Sequence, residues 1–143
     1  MTDDFSATAS ELRYAVFRLA RRLRSVRAVD EMSDAQLATL GALRAHGRHT
    51  LSRLAERERV AAPTMTATIN GLAELGLVVR IPDEDDRRRV HVEITTQGEH
   101  VVTETIRRRD ELLADMIAEL DVDAHDLSVL REASALLRKV ADA

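Results

Sequence analysis

The sequence predicts a mainly α-helical fold with one small β-hairpin, an α+β class whose core comes mostly from helices. Two observations support this prediction. Apolar residues recur at three- and four-residue spacing over most of the chain, and the period changes to two only between Leu77 and Ile94. The 143 residues are 45% apolar, enough for one folded domain, but only 2% aromatic. We therefore expect an aliphatic core.

Composition excludes several classes of protein. A chain without cysteine has no disulfide, no thiolate metal site and no thiol redox sensor. No apolar run approaches the length of a membrane span. The acidic residues Asp3 and Asp4 stand where a signal peptide would carry positive charge. These features predict a cytoplasmic protein with no membrane partner.

The first and last parts of the chain predict long helices with apolar seams at alternating four- and three-residue spacing. The first helix is expected from about Ser6 to Arg27, another from Thr95 or Thr96 to about Leu120, and a last one capped by Asp123. Each seam either packs on its own domain or pairs with a second subunit, and the residues alone leave both readings open. The seam residues are Leu12, Val16, Leu19, Leu23 and Val26 in the first helix and Leu127, Leu130, Ser134 and Leu137 in the last. In the helix before the last, the residues predicted to face inward are Val102, Ile106, Leu113, Met116 and Leu120.

Two shorter helices are predicted between Ser33 and Arg59. Ser33 and Gln36 form a capping-box pair at the start of the first, which ends at Gly47. Thr50 caps the second, which ends near Arg59. Their inward-facing residues are Leu37, Leu40, Leu43, Leu51, Leu54 and Ala55.

A further helix has Pro63 in its first turn and Gly76 beyond its end. Met65, Ile69 and Leu72 face the core, so the rest of its surface carries small and polar side chains. Short hydroxyl and amide groups there can bind base edges or phosphates, although they also suit an ordinary polar helix surface. The outward and flanking residues are Pro63, Thr64, Thr66, Ala67, Asn70 and Glu74.

A β-hairpin with a charged tip follows that helix. Apolar residues 77–81 and alternating residues 90–94 predict its two strands, and residues 82–89, PDEDDRRR, form the loop. The acidic residues of the loop can pair with Arg80 or a neighbouring arginine and so fix its shape. The alternative is a solvated charge run. Arg87 and Arg88 are predicted to reach an adjacent minor groove, and Arg89 is a further candidate DNA-binding residue of the wing.

This order of elements describes a winged helix-turn-helix between helical segments. Two short helices joined by a tight turn place the second in the DNA major groove, and the charged hairpin forms the wing. The net charge of −4 argues against a nucleic-acid partner when taken alone. The arginines nevertheless cluster in residues 53–59 and 87–89, and such local clusters decide DNA affinity more than the sum does. We therefore expect a DNA-binding protein.

The alternatives to a DNA-binding protein are an enzyme, a metal-binding protein and a protein-interaction module. The five glycines do not form a phosphate-cradling loop, and no Ser-centred nucleophile motif occurs, so an enzyme is not expected. His46 and His49, with a carboxylate, allow a metal site, but exposed histidines near a helix end explain the pair more simply. We expect neither metal nor cofactor. The remaining alternative is a protein-interaction module with the same fold and little DNA affinity.

The stretch from Thr50 to Gly98 resembles the MarR family of bacterial winged helix-turn-helix transcriptional regulators. The matching pieces are TLSRLAER, PTMTATINGLAELGLVVR, the DRR triplet of the wing and the ITTQG strand-to-helix junction. The flanking helices match the family arrangement, so the resemblance covers essentially the whole chain. It implies a dimerisation helix in residues 1–30, a DNA-binding domain in residues 31–98 and dimerisation helices in residues 99–143.

The resemblance also implies a mode of action. Such proteins are homodimers joined by the first and last two helices, and each lobe presents its recognition helix to half of a pseudo-palindromic site. Most repress nearby genes, and many release DNA when a small, often phenolic, compound binds between the lobes, where Tyr14 and Phe17 are candidate walls. The residues implied are Pro63, Thr64, Thr66, Ala67 and Asn70 for the groove, Arg87, Arg88 and Arg89 for the wing, Thr50, Ser52 and Arg53 for phosphates, and Leu12, Val16, Leu19, Leu113, Leu127, Leu130 and Leu137 for the dimer interface.

The chain departs from the family pattern at several positions. Arg59 stands where a glycine is common in the turn, and Ala61 and Ala62 replace the usual Ser or Thr cap of the recognition helix. Ala67 stands where relatives often carry a base-reading arginine, and Gly71 weakens the middle of the helix by about 1 kcal/mol relative to alanine. We therefore expect DNA binding to depend mainly on the wing and on phosphate contacts.

Overall fold

The structure is a computed structural model that describes every residue from Met1 to Ala143, and it confirms the mainly helical α+β class. The chain forms two compact units, Met1–Arg109 and Asp110–Ala143, and the boundary falls within α5. The elements are α1 (Thr2–Arg24), α2 (Asp34–His46), β1 (His49–Thr50), α3 (Leu51–Glu58), α4 (Ala62–Glu74), β2 (Val78–Pro82), β3 (Val90–Ile94), α5 (Thr96–Ala118) and α6 (Ala124–Ala141). None of these helices is both long and apolar enough to cross a membrane.

The buried core is aliphatic, as predicted, and lies entirely in the first unit. It brings the inward faces of α2, α3 and α4 against the sheet and the start of α5. Met65, Ile69 and Leu72, which the sequence assigned to the inner face of α4, are all fully buried. The core residues are Met32, Leu40, Leu43, Leu54, Ala55, Met65, Ile69, Leu72, Leu77, Val78, Val92 and Val102.

Three predicted helix starts are confirmed by their capping bonds. Ser33 and Gln36 form the reciprocal capping box of α2, and Asp123 begins a capping box on α6. The Thr50 side chain accepts the backbone N–H of Arg53 at 3.3 Å at the start of α3. By contrast, the N-cap residue of α4, Ala61, makes no side-chain bond, as its methyl group requires.

The sheet has one strand more than the sequence predicted. The predicted hairpin is present as β2 and β3, and the two-residue strand β1 pairs antiparallel with the other edge of β3, giving the order β1-β3-β2. His49 lies opposite Val92, and Thr50 lies opposite His91. Because Thr50 both pairs with β3 and caps α3, the sheet fixes where α3 begins.

The ITTQG junction joins β3 to α5 through a close backbone contact. Thr95 donates its backbone N–H to the carbonyl of Leu77 at 3.0 Å and its hydroxyl to the carbonyl of Gly76 at 2.8 Å. A β-carbon at position 98 would collide with the carbonyl oxygen of Leu77 and the side chain of Ile94. Gly98 is therefore required because the start of α5 lies directly on the chain entering β2.

The two terminal helices, α1 and α6, bury none of their residues. Helix α1 ends at Arg24 rather than Arg27, so Val26 lies beyond the helix and outside the predicted seam. The inward prediction is wrong for two residues: Ile106 of α5 is 45% exposed, and Leu120, which lies beyond the end of α5 at Ala118, is 69% exposed. Among the predicted interface residues, Leu113, Leu127 and Leu137 are half-buried, and Leu12, Val16, Leu19 and Leu130 are exposed.

Candidate nucleic-acid interface

The outward face of α4 is exposed along its whole length. Amphipathic spacing explains this arrangement, since Met65, Ile69 and Leu72 occupy the core and every predicted groove residue falls on the other side. The helix is thus seated on the core and presents a polar surface to solvent. The exposed predicted residues are Pro63, Thr64, Thr66, Ala67 and Asn70.

Hydroxyl bonds within α4 restrict what its threonines can contact. The Thr66 hydroxyl donates its proton to the carbonyl of Ala62 at 3.0 Å, and the Thr68 hydroxyl donates to the carbonyl of Thr64 at 3.1 Å. A hydroxyl oxygen whose proton is already used can only accept a hydrogen bond. Thr66 is therefore suited to base donors, such as the amino groups of adenine or cytosine, and not to phosphate oxygens.

Helix α4 is connected to strand β2 by a side-chain pair. Arg80 of β2 donates from Nη2 to Oδ1 of Asn70 on α4. Both side chains are exposed, so this bond lies on the surface that would face DNA. Arg80 or a neighbouring arginine was predicted to pair with the acidic loop. In the structure Arg80 binds Asn70, whereas Nε of Arg88 lies 3.6 Å from Oδ1 of Asp86 in the loop.

The acidic part of the wing is used to hold the loop in shape. Asp83 accepts the backbone N–H groups of Asp85 at 2.9 Å and Asp86 at 3.1 Å through Oδ1, and its Oδ2 lies 2.8 Å from Nε2 of His91. The hydrogen bond from His91, with the two backbone bonds, lowers the pKa of Asp83 from 3.8 to about 2. Asp86 accepts the backbone N–H of Arg88 at 3.0 Å. These bonds agree with the prediction that the acidic residues fix the shape of the loop. The main side-chain partner of Asp83, however, is His91 and not an arginine.

The wing arginines lie beside the start of α3. All three of Arg87, Arg88 and Arg89 are exposed, and the side chain of Arg88 is 95% exposed. Arg88 and Arg89 border a cleft of about 430 Å³ whose other wall is the first turn of α3. The structure therefore brings together two groups of residues that the sequence predicted separately: the arginines of the wing and the phosphate-contacting residues at the start of α3. The residues lining the cleft are Thr50, Leu51, Ser52, Arg53, Arg88, Arg89 and Val90.

The turn between α3 and α4 accommodates Arg59 in a left-handed conformation, with φ of 54°. This conformation explains why a glycine is favoured there, since a side chain in the left-handed region costs about 1 kcal/mol. Nearby, His49 bonds to the carbonyl of Gly47 through Nδ1 at 2.8 Å and accepts from Nε of Arg57 at 3.2 Å. Both ring nitrogens of His49 are thus occupied. No group of three potential ligands gathers around the two histidines, so nothing in the structure favours the metal hypothesis.

A cavity of about 500 Å³ lies on the first unit, away from the α3, α4 and wing surface, where α1 ends beside α2 and α5. Its walls are mainly aliphatic, with Arg24 and Arg109 as cationic groups and Asp34 as an acidic one. Arg109 donates to the carbonyl of Val26 at 3.0 Å, and Thr105 accepts the backbone N–H of Ala28 at 3.1 Å, so the cavity wall is tied to the α1–α2 connection. Tyr14 and Phe17 do not line it.

Three features of the site could not be predicted from the pattern of the sequence. Strand β1 is too short to show any periodicity. The His91–Asp83 pair joins residues eight apart, and the Asn70–Arg80 pair joins residues ten apart in different elements. One signal for the His91 contact was available: on the alternating strand β3, the side chain of His91 points away from buried Val92.

Comparison with known proteins agrees with this geometry. The sequence model described as "MarR family" matches residues 32–90. An HTH-type transcriptional regulator of Mycobacterium leprae, itself described as uncharacterised, is 38% identical over 142 residues, covering 99% of this chain and 98% of that protein. The solved structure of a MarR family protein from Bacillus stearothermophilus is similar, with a TM-score of 0.82 at 22% identity, covering 100% of this chain and 99% of that one. Streptococcus pneumoniae FabT, solved in complex with DNA, has a TM-score of 0.65 at 17% identity, covering 99% and 98%.

Proposed function

Since the chain belongs to the MarR family of DNA-binding transcriptional regulators, we propose that it is a homodimeric repressor of nearby genes. It binds a pseudo-palindromic operator in the cytoplasm and releases it when a small molecule binds. The observation that carries this proposal is the cleft in which the start of α3 meets Arg88 and Arg89 of the wing. Arg53 on one wall and Arg88 and Arg89 on the other can bind a phosphate of the DNA backbone.

The assignment of roles follows the exposed surface. Helix α4 enters the major groove, with Asn70 and Thr66 toward base edges. Arg87 and Arg88 reach the adjacent minor groove, and Arg53 with Thr50 and Ser52 contacts phosphates. Thr50 retains its hydroxyl proton for a phosphate, because its oxygen is the acceptor in the cap of α3. The DNA-bound structure of FabT, which shares this fold, supports duplex DNA as the partner.

Exposed apolar residues on both terminal helices support the homodimer. On α1, Phe5 is 71% exposed and Phe17 is 60% exposed, and on α6, Leu136 is 62% exposed. Neither helix has a fully buried residue. Exposed apolar surface of this extent is typical of an interface with another chain. We assign these helices to a two-fold contact in which the same surface of each subunit takes part.

Removal of the wing cations tests the DNA-binding role. Arg87→Ala and Arg88→Ala together are expected to weaken binding to DNA upstream of the protein's own gene. They should also reduce the slope of log affinity against log salt by up to roughly 2, since each phosphate contact contributes about 0.9. Arg44→Ala removes an exposed cation from α2, outside both the wing and the terminal helices, and serves as the control whose slope should not change.

The readout is fluorescence anisotropy of labelled duplex at several salt concentrations. If the wild-type protein binds the duplex and the wing variant shows the same slope, the assignment of the wing to DNA binding is contradicted. A wild-type protein that prefers no duplex over random competitor would instead favour the interaction-module alternative.

The proposed effector site is the cavity between the end of α1, α2 and α5. Its aliphatic walls with Arg24 and Arg109 suit a small aromatic anion, for which salicylate is a simple phenolic probe. Ala38→Leu fills part of this cavity, while Ala45→Leu adds the same volume to an exposed position on α2 outside it. Salicylate should release operator DNA from wild type and Ala45→Leu but not from Ala38→Leu. Equal release from all three would exclude this cavity.

A further inference from the structure

The arginines of α3 form a second basic cleft beside the one at the wing. Residues 53–59 contain one of the arginine clusters of the sequence, and only Arg53 of that cluster has a role in the proposed function. A cleft of about 440 Å³, here called the α3 cleft, opens on the outer side of this helix and contains three arginines and one glutamate. The residues lining it are His49, Arg53, Glu56, Arg57 and Arg59.

Arg53 connects the two clefts. It lines the α3 cleft and also the wall of the wing cleft that the first turn of α3 forms. Arg57 lies four residues later, one helical turn along the same face of α3. A basic surface therefore runs from Arg88 and Arg89 of the wing, past Arg53, to Arg57.

His49 holds Arg57 in this cleft. Nε of Arg57 donates to Nε2 of His49 at 3.2 Å, and Nδ1 of His49 donates to the carbonyl of Gly47 at 2.8 Å. His49 is itself placed by strand pairing opposite Val92, which is fully buried. A guanidinium has five N–H donors, so the bond to His49 leaves the terminal nitrogens of Arg57 available to a ligand.

Arg59 occupies a strained position at the other end of the cleft. Its φ of 54° lies in the left-handed region, which glycine adopts without strain. Strained backbone of this kind is concentrated at binding and active sites. The side chain of Arg59 is exposed. An arginine at a position that suits glycine favours a use for its cation over an incidental surface charge.

We propose that the α3 cleft is a further phosphodiester site, which binds the backbone of the operator duplex next to the phosphate held in the wing cleft. Guanidinium groups bind phosphate oxygens through paired N–H donors, and a duplex presents its phosphates in a continuous row that suits a continuous basic surface. Contacts to phosphate fix the protein on the duplex and carry no sequence information. The inference rests on the proposed operator binding.

Arg59→Gly separates a DNA contact from a structural role. Glycine relieves the left-handed backbone, so the variant should resist urea at least as well as wild type. Its affinity for operator duplex should nevertheless fall by roughly three- to tenfold at low salt, and by less at high salt, because a phosphate contact is lost. Arg59→Lys keeps the cation and should retain most of the affinity. Fluorescence anisotropy of labelled duplex measures these affinities.

Two more substitutions in the cleft should act in opposite directions. Arg57→Ala should weaken binding as Arg59→Gly does. Glu56→Gln removes the one negative charge of the cleft, which repels phosphate, and should strengthen binding. Relative affinities for duplexes with different bases should stay the same in both variants. Arg44→Ala removes an exposed cation from α2, outside both clefts, and is the matched control that should bind as wild type.

Duplexes in which one phosphate at a time is replaced by an uncharged methylphosphonate locate the contact. Wild type should lose affinity when the phosphate in the α3 cleft is replaced. Arg57→Ala and Arg59→Gly should show no further loss at that phosphate, because the interaction is already absent. Both variants should still respond as wild type does at the phosphate to which Arg88→Ala is insensitive.

The inference is overturned if Arg57→Ala and Arg59→Gly bind every duplex as tightly as wild type, or if Glu56→Gln weakens binding. It is also overturned if the two arginine variants remain sensitive to every methylphosphonate that affects wild type. In these results the wild-type protein still binds its operator. A wild-type protein that prefers no duplex over random competitor would overturn the proposed function as well, so the two failures are distinct.

Discussion

The DNA-binding part of the first unit and the terminal helices differ in how their apolar residues are used. Between Met32 and Val102 the apolar faces of α2, α3, α4 and the sheet close on one another, and twelve hydrophobic residues are buried. Helices α1 and α6 have apolar seams of similar regularity but bury none of them. The same helical pattern therefore stabilises a fold in one region and leaves exposed apolar surface in the other.

A charge in the seam of α6 gives the largest expected effect. Leu130 is 44% exposed in the single chain, so Leu130→Asp should leave the first unit folded. At a closed dimer interface the unpaired carboxylate costs roughly 3 kcal/mol, which weakens dimerisation at least about a hundredfold. Light scattering with size-exclusion chromatography measures the mass, and Ser128→Asp, exposed on the same helix, is the control. An undisturbed Leu130→Asp dimer would show that this seam is not the interface.

Within the DNA-binding part, Gly98→Ala should be the most destabilising small change. The added β-carbon meets the backbone carbonyl of Leu77, which cannot move without displacing β2, so we expect a loss of about 3 kcal/mol. Gly41→Ala is the matched control, because a β-carbon at position 41 meets no atom and should stabilise α2 by about 1 kcal/mol. Urea denaturation followed by circular dichroism measures both. Equal effects would mean that the contact with Leu77 is unimportant.

Restoring the missing cap of α4 should have a smaller, stabilising effect. Ala61 already has the extended backbone of an N-cap residue, with φ of −67° and ψ of 149°. Ala61→Ser supplies a hydroxyl that can accept an N–H of the first turn, so the free energy of unfolding should rise by about 1 kcal/mol. Ala133→Ser on α6 lies in a helix interior and serves as a control that should not stabilise. No gain from Ala61→Ser would indicate that the exposed first turn is already satisfied by water.

The smallest expected effect is a change in the titration of the wing. The His91 bond and two backbone bonds lower the pKa of Asp83 to about 2, so they stabilise the loop fully above the ordinary value of 3.8. That contribution is lost as the pH falls through about 2, where Asp83 becomes protonated. Carboxyl chemical shifts in NMR should show the Asp83 pKa rising toward 3.8 in His91→Ala. The control His100→Ala, on α5, should leave it lowered, and a lowered pKa in both variants would exclude His91 as the cause.

Local features could be predicted from the sequence, whereas pairs made by the tertiary structure could not. The capping residues Ser33 and Thr50 and the inner face of α4 depend on nearby positions, and all are confirmed. The contact of Asn70 with Arg80 depends on how α4 packs against β2, which no periodicity encodes.

The seams show the same limit. Ile106 follows the inward spacing of α5 but is exposed, because helical periodicity marks an apolar face without saying what covers it. Leu120 is exposed because α5 already ends at Ala118.

Selection from a pool of random duplexes with the purified protein, followed by sequencing, measures whether the protein binds DNA as a symmetric dimer. If two copies each present α4 and an arginine-tipped wing, the enriched sequences should contain inverted half-sites whose centres lie about 10 base pairs apart, or a multiple of that. Enrichment of a single half-site, or no enrichment over the starting pool, would contradict the account.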